Sequence, residues 1–222
     1  MEPLNVILIP TDYSDNARIA AEYAVENFAT EGLAFWLVNV YRLKYSGAII
    51  SVDLDELMRA DSESSMEAEL KFMQRKYPNL TIKGRTFQGA LVDVITKLVG
   101  SKEISMIVMG TKGASGVKEV VLGSNAANVI KMLPVPVLLV PETLGSNVIK
   151  TILFATDLKY IKGYETIQPL HSVARKSQAN LEILHLSNGE VLPEEMLKEE
   201  LRLDTIFRDI PHKFHFKNQV VP

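Results

Sequence analysis

Cysteine is absent from the 222-residue chain. That excludes disulfides, thiolate metal sites and cysteine nucleophiles together, and it suits a reducing cytoplasm, where we expect the protein. Histidine occurs only as His171, His185, His212 and His215, so residues 1–170 contain none. A Ser-His-Asp arrangement is thereby excluded from that part of the chain. Long apolar runs are missing too. Stretches such as Val135 to Val140 are far too short to cross a bilayer. The N-terminus, Met1-Glu2-Pro3-Leu4-Asn5-Val6-Ile7, lacks the basic region and long apolar core of a signal peptide. No membrane partner is expected. Nor is there an excess of positive charge: 24 Lys and Arg stand against 27 Asp and Glu, a net charge of -3. General nucleic-acid binders are usually basic, so nucleic acid is not an expected partner. What is present, 47% apolar and 23% charged residues, is the composition of a globular protein with a real hydrophobic core.

The first 142 residues alternate regularly. Val6 to Ile9 is a short apolar run ending in the polar turn Pro10-Thr11-Asp12, with Ser14 or Asp15 placed to cap the next helix. In that helix Ile19, Ala20, Tyr23, Ala24 and Phe28 recur at helical spacing. Leu33 to Val40 predicts a second strand, residues 41–52 a loop, and Asp53 to Lys76 a helix stopped by Pro78. Leu80 to Phe87 alternates as a strand. Leu91, Val92, Ile95, Leu98 and Val99 mark a third helix, and Ile104 to Met109 a fourth strand. Gly110 to Gly123 is a glycine-rich connection into a helix over Ser124 to Leu133, and Val135 to Val140 is the last strand. Strands alternating with helices predict an α/β fold with a parallel sheet covered on both faces. Right-handed crossovers favour a five-stranded flavodoxin-like order, 3-2-1-4-5, with ligands bound at the carboxyl ends of the strands.

Then the pattern restarts. After a Gly- and Ser-containing linker at Glu142 to Asn147, the segment Ile149 to Leu158 repeats the pattern of Leu4 to Tyr13, with Thr156-Asp157 where Thr11-Asp12 stands. Asn180 to Leu186 resembles Ala34 to Val40, with His185 in the place of Asn39. A charged helix over Pro193 to Phe207 and a strand over His212 to Phe216 follow. We therefore expect two domains: residues 1–142, complete, and residues 148–222, a partial β-α-β-α-β copy without the last two helices, the last two strands or a glycine loop. The expectation is that the chain is a fragment, the alternative being a natural truncation completed by a partner subunit. In the charged helix, Glu194, Glu195, Lys198, Glu199, Glu200 and Arg202 read as a solvated face. His212 and His215 read as strand or surface histidines, since a zinc ligand set is incomplete.

The feature that carries chemistry is Met109-Gly110-Thr111-Lys112-Gly113-Ala114-Ser115-Gly116, continued to Gly123-Ser124-Asn125. Glycines let backbone amides approach an anion closely, and a helix starting near Ser124 offers unpaired N–H groups and a favourable dipole. The Ser124 hydroxyl is placed either to cap that helix or to bond a phosphate oxygen. The spacing is neither the Walker A pattern nor the dinucleotide fingerprint. On spacing alone, an anion cradle and a plain strand-to-helix connection stand level. Lys112 reads equally as a phosphate partner or a solvated loop lysine.

The stretch Val108 to Pro141 closely resembles the universal stress proteins, and Pro10-Thr11-Asp12-Tyr13-Ser14 resembles that family's first-strand signature. The resemblance covers residues 1–142 fully and 148–222 in part, an incomplete tandem arrangement. In that family this glycine spacing marks the members that bind ATP. The resemblance implies a sheet of the adenine nucleotide alpha hydrolase-like type and a soluble ATP-binding protein of the stress response. Pro10 and Asp12 would lie by the ribose or adenine, and Val40 would offer backbone contacts to adenine. Met109 and Gly110 would flank the ribose, and Gly113, Gly123, Ser124 and Asn125 would cradle the phosphates. Other adenine nucleotides suit the same cradle, with or without magnesium. The second copy keeps Asp157 but has Lys159 where Ser14 stands, so no nucleotide site is expected there. Three functions remain open: a regulatory protein with ATP as conformational or assembly ligand, a nucleotide-independent dimerisation module, and a slow ATPase. No catalytic residue stands out. A homodimer is expected, with the Val135 to Val140 edge strand as its interface.

Overall fold

The computed structural model describes residues 5–42, 52–101, 104–111, 123–143, 149–159, 161, 163–187 and 193–218. The chain divides into two units, Met1–Leu144 and Gly145–Pro222.

In the first unit the strands are β1 (Val6–Pro10), β2 (Ala34–Tyr41), β3 (Thr81–Gln88), β4 (Ile104–Gly110) and β5 (Val137–Val140). They form one sheet in the order β3-β2-β1-β4-β5, and all its pairs are parallel. The helices are α1 (Asp15–Phe28), α2 (Val52–Lys76), α3 (Leu91–Ser101) and α4 (Ser124–Met132). The predicted fold class and strand order are those observed. Two apolar layers hold the sheet. On one face Ile7, Ile9, Phe35, Leu37, Met106 and Val108 meet Ala20, Ala21, Ala24 and Val25 of α1 and Met66 and Met73 of α2. On the other, Leu8, Val38, Ile107 and Met109 meet Val94, Ile95 and Leu98 of α3 and Ala126 and Val129 of α4. Successive strand residues thus serve opposite layers, which is why β1, β2 and β4 are apolar on both faces apart from Asn39 and Ser105.

Prolines set two boundaries more tightly than the apolar pattern suggests. β5 starts at Val137 instead of Val135, because Pro136 has no N–H for the ladder, although its carbonyl still accepts from Ile107 N at 2.9 Å. α4 ends at Met132. Leu133 is extended (φ -106°, ψ 137°), as the ring of Pro134 requires of the residue before it.

The second unit contains β6 (Thr151–Ala155), a 3₁₀ turn (Tyr164–Thr166), α5 (Gln168–Ser177), β7 (Asn180–Ser187), α6 (Glu194–Ile206) and β8 (His212–Asn218). Its strands pair in parallel in the order β6-β7-β8 around Leu181, Ile183, Leu203, Phe207 and Ile210. Each histidine here has a polar partner. His171 meets Asp209 at 2.9 Å and stacks on Phe207, and the hydrogen bond from its ring lowers the Asp209 pKa. His212 meets Asp204 at 3.1 Å, and His215 meets Glu182.

One sequence reading is corrected. Glu199 is not on a solvated face. Only 4% of it is exposed. It holds Arg202 through two contacts of 2.9 Å and accepts from Ile161 N at 3.3 Å. A buried carboxylate needs such partners, and Arg202 also donates to Ile161 O at 2.8 Å. The first unit has a counterpart. Glu69, 3% exposed, takes Arg18 in a two-pronged contact, with Nη2 at 2.6 Å and Nε at 3.1 and 3.2 Å. Ile82 pairs with Phe35, and His212 pairs with Leu181. Counted back from Ile82 and His212, Glu69 and Glu199 occupy the same position.

Candidate functional site

Where β1 and β4 end, a cleft of ≈ 270 Å³ opens at the carboxyl edge of the sheet. β1 delivers Pro10, Thr11 and Asp12, and β2 delivers Val40. β4 delivers Met109, Gly110 and Thr111, and the start of α4 delivers Gly123, Ser124, Asn125 and Ala126. Eight of the nine residues expected from sequence therefore surround one cavity. The ninth, Gly113, lies outside the described residues, as does Lys112. Ala17 of α1 and Leu91 of α3 complete the lining. The sequence pattern assigned Leu91 to the core. Its position as the first residue of a helix that follows a strand end was the signal that it also borders the site.

The turn after β1 is closely specified. Thr11 N donates to Val38 O at 2.9 Å, prolonging the β1–β2 ladder. Thr11 Oγ1 accepts from Tyr13 N at 3.0 Å. Tyr13 takes a left-handed conformation, φ 65°, which is uncommon for a non-glycine residue. Asp12 Oδ1 accepts from Ser14 N at 3.1 Å and from Ser14 Oγ at 2.5 Å. Ser14 in turn is the helix cap, accepting from Ala17 N at 3.3 Å. Asp12 thus braces the turn, and its carboxylate remains exposed at the cleft. Burial raises the pKa of Tyr13.

Gly110 packs directly against Asn16 of α1. A Cβ there would fall 2.7 Å from Asn16 Nδ2, 2.9 Å from Asn16 Cγ and 3.2 Å from Asn16 O. Opposite it, Gly123 N donates to Thr111 O at 2.9 Å, tying the start of α4 to the end of β4. Gly123 is the N-cap of α4, and no side chain among the described residues caps this helix. The Ser124 hydroxyl therefore does not take the capping role. First-turn amides without an internal partner begin at residues that line the cleft. Asp12 is the only charged residue in the described lining. The chemistry on offer is one carboxylate acceptor, an apolar floor of Val40, Met109 and Leu91, and a helix N-terminus suited to an anion.

The universal stress protein family profile matches residues 4–141. The chain belongs to the universal stress protein family. It is 32% identical over 140 residues to universal stress protein MJ0531 of Methanocaldococcus jannaschii, covering 61% of this chain and 81% of that one. It is 30% identical over 152 residues to universal stress protein MJ0577 of the same organism, covering 60% and 93%. The solved structure of MJ0577 superposes with a TM-score of 0.53 at 26% identity, over 64% of this chain and 99% of that one. A universal stress protein from Archaeoglobus fulgidus matches 98% of this chain and 78% of its own, with a TM-score of 0.66 and 22% identity, a likeness of fold that takes in both units. No described helix is long and apolar enough to cross a membrane.

Proposed function

We propose that this universal stress protein binds an adenine nucleotide, ATP foremost, in the cleft of its first unit, and that the nucleotide is a regulatory ligand. The observation that carries the reading is the convergence of Asp12, the apolar floor and the uncapped start of α4 on one cavity. An exposed carboxylate accepts hydrogen bonds from ribose hydroxyls, Val40, Met109 and Leu91 suit a flat base, and the α4 amides suit phosphate. At ≈ 270 Å³ the cavity lies at the small end of ligand pockets, a size for the nucleoside, with the phosphates reaching the start of α4. With Asp12 the only charge in the described lining, amides carry the anion binding, and magnesium would be held mainly by the phosphates, as is usual for that ion. Among the described lining residues Asp12 is the only candidate base. ATP then acts by stabilising the conformation or assembly that it binds preferentially.

Calorimetric titration of ATP into the full chain tests this. Wild type binds, and Gly123→Val, which puts a branched side chain at the mouth of the cradle, binds at least about tenfold more weakly, the equivalent of about 1.4 kcal/mol. Unchanged affinity in both Gly113→Val and Gly123→Val would refute the cradle. A homodimer through the β5 edge is part of the same proposal, because among the described residues Val137–Val140 pairs only with β4 and an apolar edge invites a second strand.

A further inference from the structure

Resting on the nucleotide reading of the cleft, we propose that Asn39 is a positioning residue for the site and that Ser62 of α2 holds it in that role. Asn39 is polar in an otherwise apolar strand and is 7% exposed. Its Nδ2 donates to Thr11 O at 2.7 Å, and its Oδ1 accepts from Ser62 Oγ at 2.7 Å. Ser62 is 5% exposed, and its carbonyl accepts from Tyr13 Oη at 2.8 Å. The turn that presents Asp12 is thus held by one residue of α2, Ser62, whose hydroxyl acts through Asn39 at Thr11 and whose carbonyl takes the phenol of Tyr13. Asn39 does not line the cleft. It acts through the peptide that carries Asp12.

The second unit supplies an independent version of the same device. Thr156 N donates to Leu184 O at 3.0 Å, as Thr11 N does to Val38 O. Leu158 N donates to Thr156 Oγ1 at 3.1 Å, and Lys159 N to Asp157 Oδ1 at 3.0 Å. Leu158 is left-handed at φ 53°. At the place of Asn39 stands His185, whose Nδ1 meets Thr156 O at 3.1 Å. Facing a carbonyl oxygen, that nitrogen carries the proton and donates. Two chemically different side chains make one hydrogen bond to one carbonyl, so the requirement at this position is a donor to the turn. The phenol tether is particular to the first unit, since Leu158 has no hydroxyl.

The test is a double-mutant cycle read by ATP titration of the full chain. Asn39→Leu keeps the bulk and removes the donor. We expect it to weaken ATP binding about tenfold, the equivalent of about 1.4 kcal/mol. In an Asp12→Ala background the same change is expected to add nothing, because the residue it positions is gone. Asn39→His, the side chain that the second unit uses, restores affinity. Additive losses, or no rescue by histidine, overturn the proposal. If Asn39→Leu does not fold, Ser62→Ala replaces it in the cycle, and additive losses with Asp12→Ala again overturn the proposal. If wild type binds no ATP, the nucleotide reading fails, and hydrogen exchange decides the positioning claim by itself. Asn39→Leu then accelerates exchange at the Tyr13 and Ser14 amides and leaves Ile7 and Leu8 unchanged. Unaltered exchange at Tyr13 and Ser14 overturns it.

Discussion

Replacing Gly110 by alanine adds one methyl group at the tightest point of the site. The new Cβ would stand 2.7 Å from Asn16 Nδ2 and 2.9 Å from its Cγ, well inside van der Waals contact, and 3.2 Å from the Asn16 backbone oxygen. The side chain cannot simply swing away, because Asn16 is 6% exposed and lies on the buried face of α1. The backbone oxygen cannot move without the helix. Overpacking of this kind costs about 2 kcal/mol. Trp36, the only tryptophan, lies in β2 of the first unit, so its fluorescence follows that unit alone. With a urea dependence of about 2 kcal/mol per molar, the midpoint should fall by about 1 M. Much of the loss should disappear when Asn16→Ala is combined with Gly110→Ala, since two of the three close contacts go with the amide. The two changes are then non-additive, as touching residues should be. ATP affinity should fall as well, because Gly110 borders the cleft. A midpoint within about 0.2 M of wild type, about a fifth of the predicted shift, would refute the packing argument. Equal losses in the presence and absence of Asn16 would refute the assignment of the clash.

Two further outcomes follow from the charged groups. Glu69→Gln should destabilise the first unit by about 2 kcal/mol in the same urea assay, below the 3–5 kcal/mol typical of a broken buried pair, because the Arg18 side chain is 39% exposed and water screens it. Tyr77 donates to Glu26 Oε1 at 2.6 Å, and burial, then that hydrogen bond, push its phenol up from 10.0 to about 12. A raised pKa means that the fold favours the neutral phenol. Its contribution is complete below the unfolded value, is lost as pH rises from 10.0 toward about 12, and should vanish in Tyr77→Phe, as an ultraviolet titration of the ionising phenols would show.

Much of the architecture is legible because parallel α/β sheets are built from local signals. Runs such as Val6–Pro10 and Ile104–Gly110 are apolar on both faces because helices cover both. Glycine and proline punctuate the connections, and the sheet order follows from handed crossovers. The cleft residues were legible for a related reason: a strand end or helix start is a position in sequence as well as in space. What composition hid was the sign of burial for individual charges. Glu199 lies among Glu194, Glu195 and Glu200 and looks solvated by its company. Met196 and Leu203, one turn to either side, lie on the core side of α6, and that periodicity places Glu199 with them. Glu69 sits likewise between Met66 and Met73.

The two buried acids also show why side-chain pairing is harder to read than backbone position. They occupy equivalent sites, yet the cation comes from Arg18 on α1 in one unit and from Arg202 on α6 itself in the other. A carboxylate taken out of water needs a partner more than it needs a particular one. The two units therefore share the acid and differ in the source of the base. The same logic applies to the turn after the first strand of each unit, where asparagine meets the Thr11 carbonyl and histidine the corresponding Thr156 carbonyl. In both places the backbone position and the missing hydrogen-bond partner are inherited from the fold, and the residue that answers is the variable. A polar residue inside an apolar strand or on the apolar stripe of a helix is then the signal to follow, because its burial has to be repaid by a specific contact. In this chain those contacts lead from Asn39 to the turn that carries Asp12.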